Sequence, residues 1–161
     1  MLERPKNRAN EPHALELDLP AAHSAVRMAR AVLRRFARME GAPSREIETM
    51  EFVVSELLAN AIDHGGGNHA MDESDAGDVR MSLAAFVRQD GWEVRVGDQG
   101  GGDPGEIEPF LKKDEIPDLD NDRGRGFYLM AQMLQEMRVA RTKDGRGLLF
   151  VAVRRYGSNE R

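Results

Sequence analysis

Two polar side chains interrupt an apolar stretch of the sequence and could act together on a phosphorylated ligand. Glu56 and Asn60 lie four residues apart within residues 55–64, so on a helix they project from the same face. The amide oxygen of Asn60 is a ligand that suits a magnesium ion already bound to phosphates. Glu56 could accept a proton from an attacking hydroxyl group or water. The alternative interpretation is a helix whose polar face is simply solvated.

A carboxylate followed by glycines could contact the base of a nucleotide. Asp98 follows an apolar, strand-like segment and precedes Gly100, Gly101 and Gly102. At the end of a strand its carboxylate can accept a hydrogen bond from the exocyclic amine of adenine. Glycines allow the close backbone approach and positive φ angles that such a turn requires. An ordinary surface turn is the alternative, because Asp and Gly are common in turns.

A second glycine-rich turn, Gly124 and Gly126, is expected to open a helix that would run over residues 126–137. Backbone N–H groups at a helix N-terminus bind anions, so this turn has the form of a phosphate cradle. Arg123 and Arg125 add positive charge there. The spacing is not that of a P-loop, and the chain lacks an early Gly-x-Gly-x-x-Gly after a first strand, which disfavours the two common nucleotide folds.

The elements that must position these residues follow from the hydrophobic periodicity. A strand over 14–19, a helix opened by Pro20 and a helix from Ser44 to about His64 come first. Strands over 79–88 and 92–98, then 138–142 and 147–154, form two hairpins. The pattern predicts an α/β two-layer sandwich, with a mixed, mainly antiparallel sheet and helices on one face. Residues 99–123 lack strong periodicity, and their length makes them a candidate lid.

Composition limits the classes of protein that remain. The chain has 161 residues and a net charge of -5, typical of one globular domain and unfavourable for general nucleic-acid binding. It has no cysteine, which excludes disulfides, thiolate zinc sites and a cysteine nucleophile. Without a secretion signal or a long apolar window, a cytoplasmic protein without membrane attachment is expected. We predict flexible tails at 1–12 and 157–161 around a single domain at 13–156.

Arginines recur along the first predicted helix. Arg27, Arg30, Arg34 and Arg38 fall on a face separate from its apolar positions. Such a charged face is usually solvated, and the alternative is contact with the acidic surface of a partner.

Taken in order, Glu56, Asn60 and His64, then Asp98-x-Gly100-x-Gly102, then Gly124-x-Gly126, resemble the Bergerat-type (GHKL) ATP-binding fold. The match is closest to the anti-sigma factor serine/threonine kinases and covers about residues 14–154. The resemblance implies binding of ATP and Mg²⁺, inhibition of a sigma factor, and phosphorylation of a serine or threonine on an anti-anti-sigma antagonist. It also implies a homodimer.

The resemblance carries roles to particular positions. Glu56 would be the catalytic base and Asn60 the magnesium ligand, with Asp98 contacting adenine. The glycines and arginines would line the nucleotide: Gly100 and Gly102 at the adenine pocket, and Arg123, Gly124, Arg125 and Gly126 at the phosphates. In the last hairpin Leu148 follows Gly147, where the family usually has a threonine whose hydroxyl supports the aspartate.

Two other functions fit the same motifs. A catalytic module of a sensor histidine kinase would need a helical dimerisation segment carrying the phosphorylated histidine, for which the residues before Ala14 leave no room. A kinase-dead or nucleotide-sensitive binding protein of the same fold would keep the partners and lose phosphoryl transfer. Weak nucleotide binding together with tight partner binding would favour this second alternative.

Overall fold

A sheet and a layer of helices make up the fold. The computed structural model describes residues 13–64, 79–112, 120 and 122–156, so the predicted tails at 1–12 and 157–161 lie outside the described residues. The elements are β1 (Ala14–Pro20), α1 (His23–Met39), α2 (Ser44–His64), β2 (Arg80–Arg88), β3 (Gly91–Gly97), α3 (Pro104–Ile107), a 3₁₀ helix (Glu108–Leu111), α4 (Asp122–Met133), β4 (Glu136–Arg141) and β5 (Leu148–Arg155).

The five strands form one sheet in the order β1-β2-β3-β5-β4. Neighbouring strands are antiparallel, with Val94 of β3 opposite Ala85 of β2 and Ala152 of β5. Both predicted hairpins are therefore confirmed, and each pairing among the described strands is antiparallel where a mixed, mainly antiparallel sheet was predicted. Alternate side chains are buried along β2 and in the interior of β3, as expected for a sheet with one covered face.

Helices cover that buried face, which confirms the predicted two-layer α/β sandwich. α1 packs on β1, and α2 packs on β2 and β3. α4 reaches the same face, because the Phe127 ring stacks on the Phe150 ring of β5 at a centroid distance of 5.3 Å. The apolar stripe predicted for α2 is buried: Ile47, Met50, Val54, Leu57 and Ala61. Long-range packing of this stripe holds α2 against the sheet.

Two predicted boundaries are wrong. Pro20 does not open a helix: it ends β1, paired with Arg80, and α1 begins at His23. The third long helix begins at Asp122 rather than Gly126 and ends at Met133, while Met137 lies in β4 opposite Ala152. Strand pairing with β5 outweighs the helical periodicity of residues 134–137. This is a tertiary effect that local patterns do not reveal.

The candidate lid at 99–123 contains short helical elements. α3 begins after Asp103, whose side chain accepts a hydrogen bond from the Gly105 N–H, and the 3₁₀ helix follows directly. Residues 113–119 and 121 lie outside the described residues, so a lid function stays a prediction.

A buried carboxylate connects α2 to the sheet. Glu46 accepts a hydrogen bond from Trp92 Nε1 at 2.8 Å and another from Arg154 Nε at 3.2 Å. Arg154 also donates through Nη1 to the Met133 carbonyl, which ties in the end of α4. Glu46 lies four residues before Met50 in the buried stripe, a sequence position that indicates an inward-facing acid. The group thus joins α2, β3, β5 and α4.

We expect Glu46→Ala to lower the free energy of unfolding by about 2 to 4 kcal/mol, because it leaves the Trp92 N–H buried without its acceptor and removes the charge partner of Arg154. Urea unfolding followed by circular dichroism measures this difference. Glu48→Ala, at an exposed position two residues later, is the control and should stay within about 0.5 kcal/mol of wild type. Equal stability of the two variants would contradict a structural role for Glu46.

Candidate nucleotide-binding site

Asp98 lies directly after β3 and is held rigidly. It is buried, with 6% of its surface exposed. Its Oδ1 accepts hydrogen bonds from the backbone N–H groups of Gly100 at 3.0 Å and Leu148 at 2.9 Å. The Asp98 N–H in turn donates to the Leu148 carbonyl at 3.0 Å. Because Oδ1 is occupied by backbone donors from two segments, the carboxylate is fixed in orientation before any ligand binds.

Gly147 allows this arrangement because no larger residue fits there. A Cβ atom on Gly147 would lie 1.8 Å from the Asp98 carbonyl oxygen and 2.8 Å from its Oδ1. The sequence pattern predicts Gly147 as the first residue of a strand and gives no physical reason for glycine there. The need for glycine comes from the backbone of Asp98, a partner distant in the chain, so no local signal reveals it.

The hairpin turn that carries Gly147 is itself stabilised by hydrogen bonds. The Gly147 N–H donates to Thr142 Oγ1 at 3.1 Å, and the Thr142 N–H donates to the Gly147 carbonyl at 2.9 Å. The Thr142 hydroxyl donates to Asp144 Oδ1 at 2.6 Å, and the Arg146 N–H donates to the same oxygen. These hydrogen bonds, the Thr142 hydroxyl first, lower the pKa of the Asp144 carboxyl. The ionised carboxylate therefore stays the acceptor that shapes this turn at neutral pH.

Leu148 occupies the position where a threonine hydroxyl was expected to support Asp98. Its backbone N–H provides that support instead. Its side chain is buried and lies beside Gly102, where a Cβ atom would be 3.1 Å from Leu148 Cδ1. An apolar side chain beside Gly102 thus stands where the family usually has a threonine. The backbone of Leu148 still supports the Asp98 carboxylate, and the threonine hydroxyl is absent.

Glu56 and Gly126 come together from different helices. A Cβ atom on Gly126 would lie 3.4 Å from Glu56 Oε2, so the carboxylate of α2 reaches the first turns of α4. Glu56 and Asn60 are both half-buried, and α2 also packs on β3, the strand that leads to Asp98. The structure therefore joins Glu56 to Gly126, and Asp98 to Gly100 and Gly147. No hydrogen bond or ion pair between these two groups is found among the described residues.

Gly124 has a packing role. A Cβ atom there would lie 2.5 Å from Cε1 of the Phe110 ring, and the glycine is buried. Both Gly124 and Gly126 lie inside the first turns of α4, where the helix dipole favours an anion. Arg125 is exposed, while the side chain of Arg123 lies outside the described residues. Phosphate contacts by these four residues stay a prediction.

The residues present fit a magnesium ion that arrives with a nucleotide. Among the described residues, no group of three or more histidine and acidic side chains could hold a metal. Mg²⁺ in nucleotide sites often takes one or two protein ligands and completes its shell with phosphate oxygens and water, so a single amide such as Asn60 is chemically adequate. No helix in the described residues is long and apolar enough to cross a bilayer.

The antiparallel sheet with one layer of helices has the architecture of the Bergerat-type ATPase fold. The chain belongs to the family of histidine kinase-like ATPase domains, whose model matches residues 19–152. It is similar to the serine-protein kinase RsbW of Oceanobacillus iheyensis, with 24% identity over 130 residues, 78% of this chain and 77% of that protein.

Solved structures share the fold. In the SiaB–SiaC complex from Pseudomonas aeruginosa, one chain matches with a TM-score of 0.64 and 19% identity, over 86% of this chain and 88% of that one. The RsbU and RsbW domains of a Mycobacterium tuberculosis protein match with a TM-score of 0.58 and 21% identity, over 89% of this chain and 32% of that one.

Proposed function

We propose that this protein is an anti-sigma factor and serine/threonine kinase that binds Mg-ATP and phosphorylates an anti-anti-sigma antagonist in a partner-switching system. The observation that carries the proposal is the fixed Asp98 carboxylate after β3, in a chain of this family whose α2 also carries Glu56 and Asn60. The likeness to a serine-protein kinase supports the choice of acceptor. A sigma factor and a second copy of the chain are the further partners proposed.

In this proposal each residue has a limited task. Asp98 accepts the hydrogen bond of the adenine amine, and Gly100 and Gly102 leave space for the base. Asn60 holds the magnesium ion, and the N-terminal turns of α4 with Arg123 and Arg125 bind the phosphates. When bound, Mg-ATP supplies the γ-phosphoryl group. Glu56 accepts the proton of the attacking serine or threonine hydroxyl, which suits a reaction that depends mostly on positioning and charge stabilisation.

A second candidate function is a partner-binding protein of the same fold without turnover. Leu148 favours it, because a buried leucine stands where the family usually has the threonine whose hydroxyl supports the aspartate. Such a protein would bind its partners tightly and ATP weakly.

Calorimetric titration of ATP with and without Mg²⁺ tests the proposal. We expect binding to wild type that depends on Mg²⁺, and a loss of at least about tenfold in affinity for Asn60→Ala, because the ion loses its protein ligand. Gln89→Ala is the matched control, since it removes an exposed amide at the end of the sheet opposite Asp98. Absence of binding by folded wild type would overturn the kinase proposal and favour the second candidate.

A further inference from the structure

The outer face of α1 is strongly basic. The helix carries five exposed arginines and no acidic residue, in a chain whose net charge is -5: Arg27, Arg30, Arg34, Arg35 and Arg38. Met28 and Met39, with 51% and 78% of their surface exposed, flank the basic face. Arginine and methionine are enriched at protein interfaces, whereas an isolated solvated face has no need for exposed methionines.

A hollow lies in the C-terminal half of this face. Ala31 is exposed and short, and the longer side chains around it enclose a depression of about 540 Å³; the lining residues are Ala31, Arg34, Arg35, Arg38 and Met39. An alanine surrounded by long side chains leaves space for a side chain of a partner. The stems of the arginines and the Met39 side chain supply apolar surface to this lining, and the guanidinium groups supply positive charge.

Two of the three arginines that line the hollow have guanidinium groups available to a partner. Arg34 Nε donates to Glu51 Oε1 at 2.7 Å, so this arginine serves to join α1 and α2. The side chains of Arg35 and Arg38 make no hydrogen bond or ion pair in the part of the chain that the structure describes. Two unpaired guanidinium groups next to an apolar depression match an acidic, amphipathic ligand.

The hollow is separate from the candidate nucleotide site. α1 and α2 run antiparallel. His23 Nε2 lies 3.6 Å from Asp63 Oδ1 at one end of the helix pair, and Arg34 contacts Glu51 towards the other end. Asn60 is nine residues beyond Glu51, about 14 Å along the helix. A ligand in the hollow would therefore bind at the end of the helix pair away from Asn60.

We propose that the Arg34–Met39 hollow is a docking site for an acidic amphipathic helix of a partner protein. Apolar side chains on one face of that helix enter the depression over Ala31, and carboxylates one turn away pair with Arg35 and Arg38. The net negative charge of the chain disfavours a nucleic acid as the ligand, and a concave depression suits side chains better than a flat lipid surface.

The probe is a fluorescein-labelled helical peptide of leucine, glutamate and alanine with the leucines on one face, measured by fluorescence anisotropy. We expect it to bind wild type, and Arg35→Glu/Arg38→Glu to weaken binding at least about tenfold. Ala31→Trp, which places a bulky side chain in the hollow without changing charge, should weaken binding as well. The matched control Arg88→Glu/Arg155→Glu makes the same charge change on the sheet face opposite the helices and should leave the affinity within about twofold.

Four results would overturn the proposal. These are no binding of the peptide to wild type, equal losses in the α1 and control variants, unchanged binding by Ala31→Trp, and tighter binding of duplex DNA or phosphatidylserine vesicles than of the peptide. Loss of self-association in Arg35→Glu/Arg38→Glu, measured by sedimentation, would instead assign the hollow to a second copy of this chain. Circular dichroism melts establish that each variant is folded, and ATP titration of the same variants separates this surface from the nucleotide site.

Discussion

Gly147→Ala is expected to lower the affinity for ATP about 100-fold. The added methyl group would lie 1.8 Å from the Asp98 carbonyl oxygen, so the start of β5 must move away from Asp98. That movement breaks the hydrogen bond from the Leu148 N–H to Asp98 Oδ1, and hydrogen bonds to charged groups contribute about 1.5 to 3 kcal/mol each. Calorimetric titration of ATP in the presence of Mg²⁺ measures the loss.

The control must separate damage to the fold from damage to the site. Gly91→Ala serves, because a Cβ atom there would lie 2.2 Å from the Arg154 carbonyl oxygen, at the opposite end of β3. Both substitutions overpack the sheet and should destabilise it by about 1 to 3 kcal/mol. Only Gly147→Ala should change the dissociation constant of the folded protein for ATP. Equal affinities in the two variants would show that Gly147 does not position Asp98 for the nucleotide.

Local patterns in the sequence were sufficient to predict the main helices and strands. The bounds of α2 follow from its apolar stripe and from the glycines after His64, and the Asp-Gly signal at 90–91 marks the β2–β3 hairpin. These features depend on neighbouring residues, so periodicity and turn chemistry reveal them. The start of α4 is different, because glycines are poor predictors of a helix interior. Gly124 lies within α4, where a Cβ atom would collide with the Phe110 ring, so the packing requires glycine at this helical position.

Sequence patterns select the residues of the candidate site, and they say little about its geometry. Glu56 and Asn60 stand out because polar side chains within an apolar helix are costly to bury without a partner. The support of Asp98 by Leu148 could not be inferred, since a backbone N–H group exists at nearly every position and only the fold selects one. The same holds for the proximity of Glu56 to Gly126, which requires the packing of α2 against α4.

Glu56→Gln is expected to reduce phosphoryl transfer by about 100-fold to 10,000-fold, the range for removal of a general base. The amide has nearly the same shape as the carboxylate but cannot accept a proton from the attacking hydroxyl. ATP affinity should change little, because Glu56 acts on the acceptor in this proposal and not on the nucleotide. Transfer of labelled γ-phosphate to the cognate antagonist, measured in a single turnover, gives the rate.

The matched control is Glu51→Gln, which makes the same chemical change on the same helix. Glu51 is buried and bonded to Arg34, so its substitution should affect stability through the α1–α2 contact and leave the transfer rate within a few-fold of wild type. A rate for Glu56→Gln equal to that of Glu51→Gln would reject Glu56 as the base. A large loss of transfer rate in Glu56→Gln alone, with ATP still bound, would separate turnover from nucleotide binding. The kinase-dead alternative predicts no such loss, because it has no turnover.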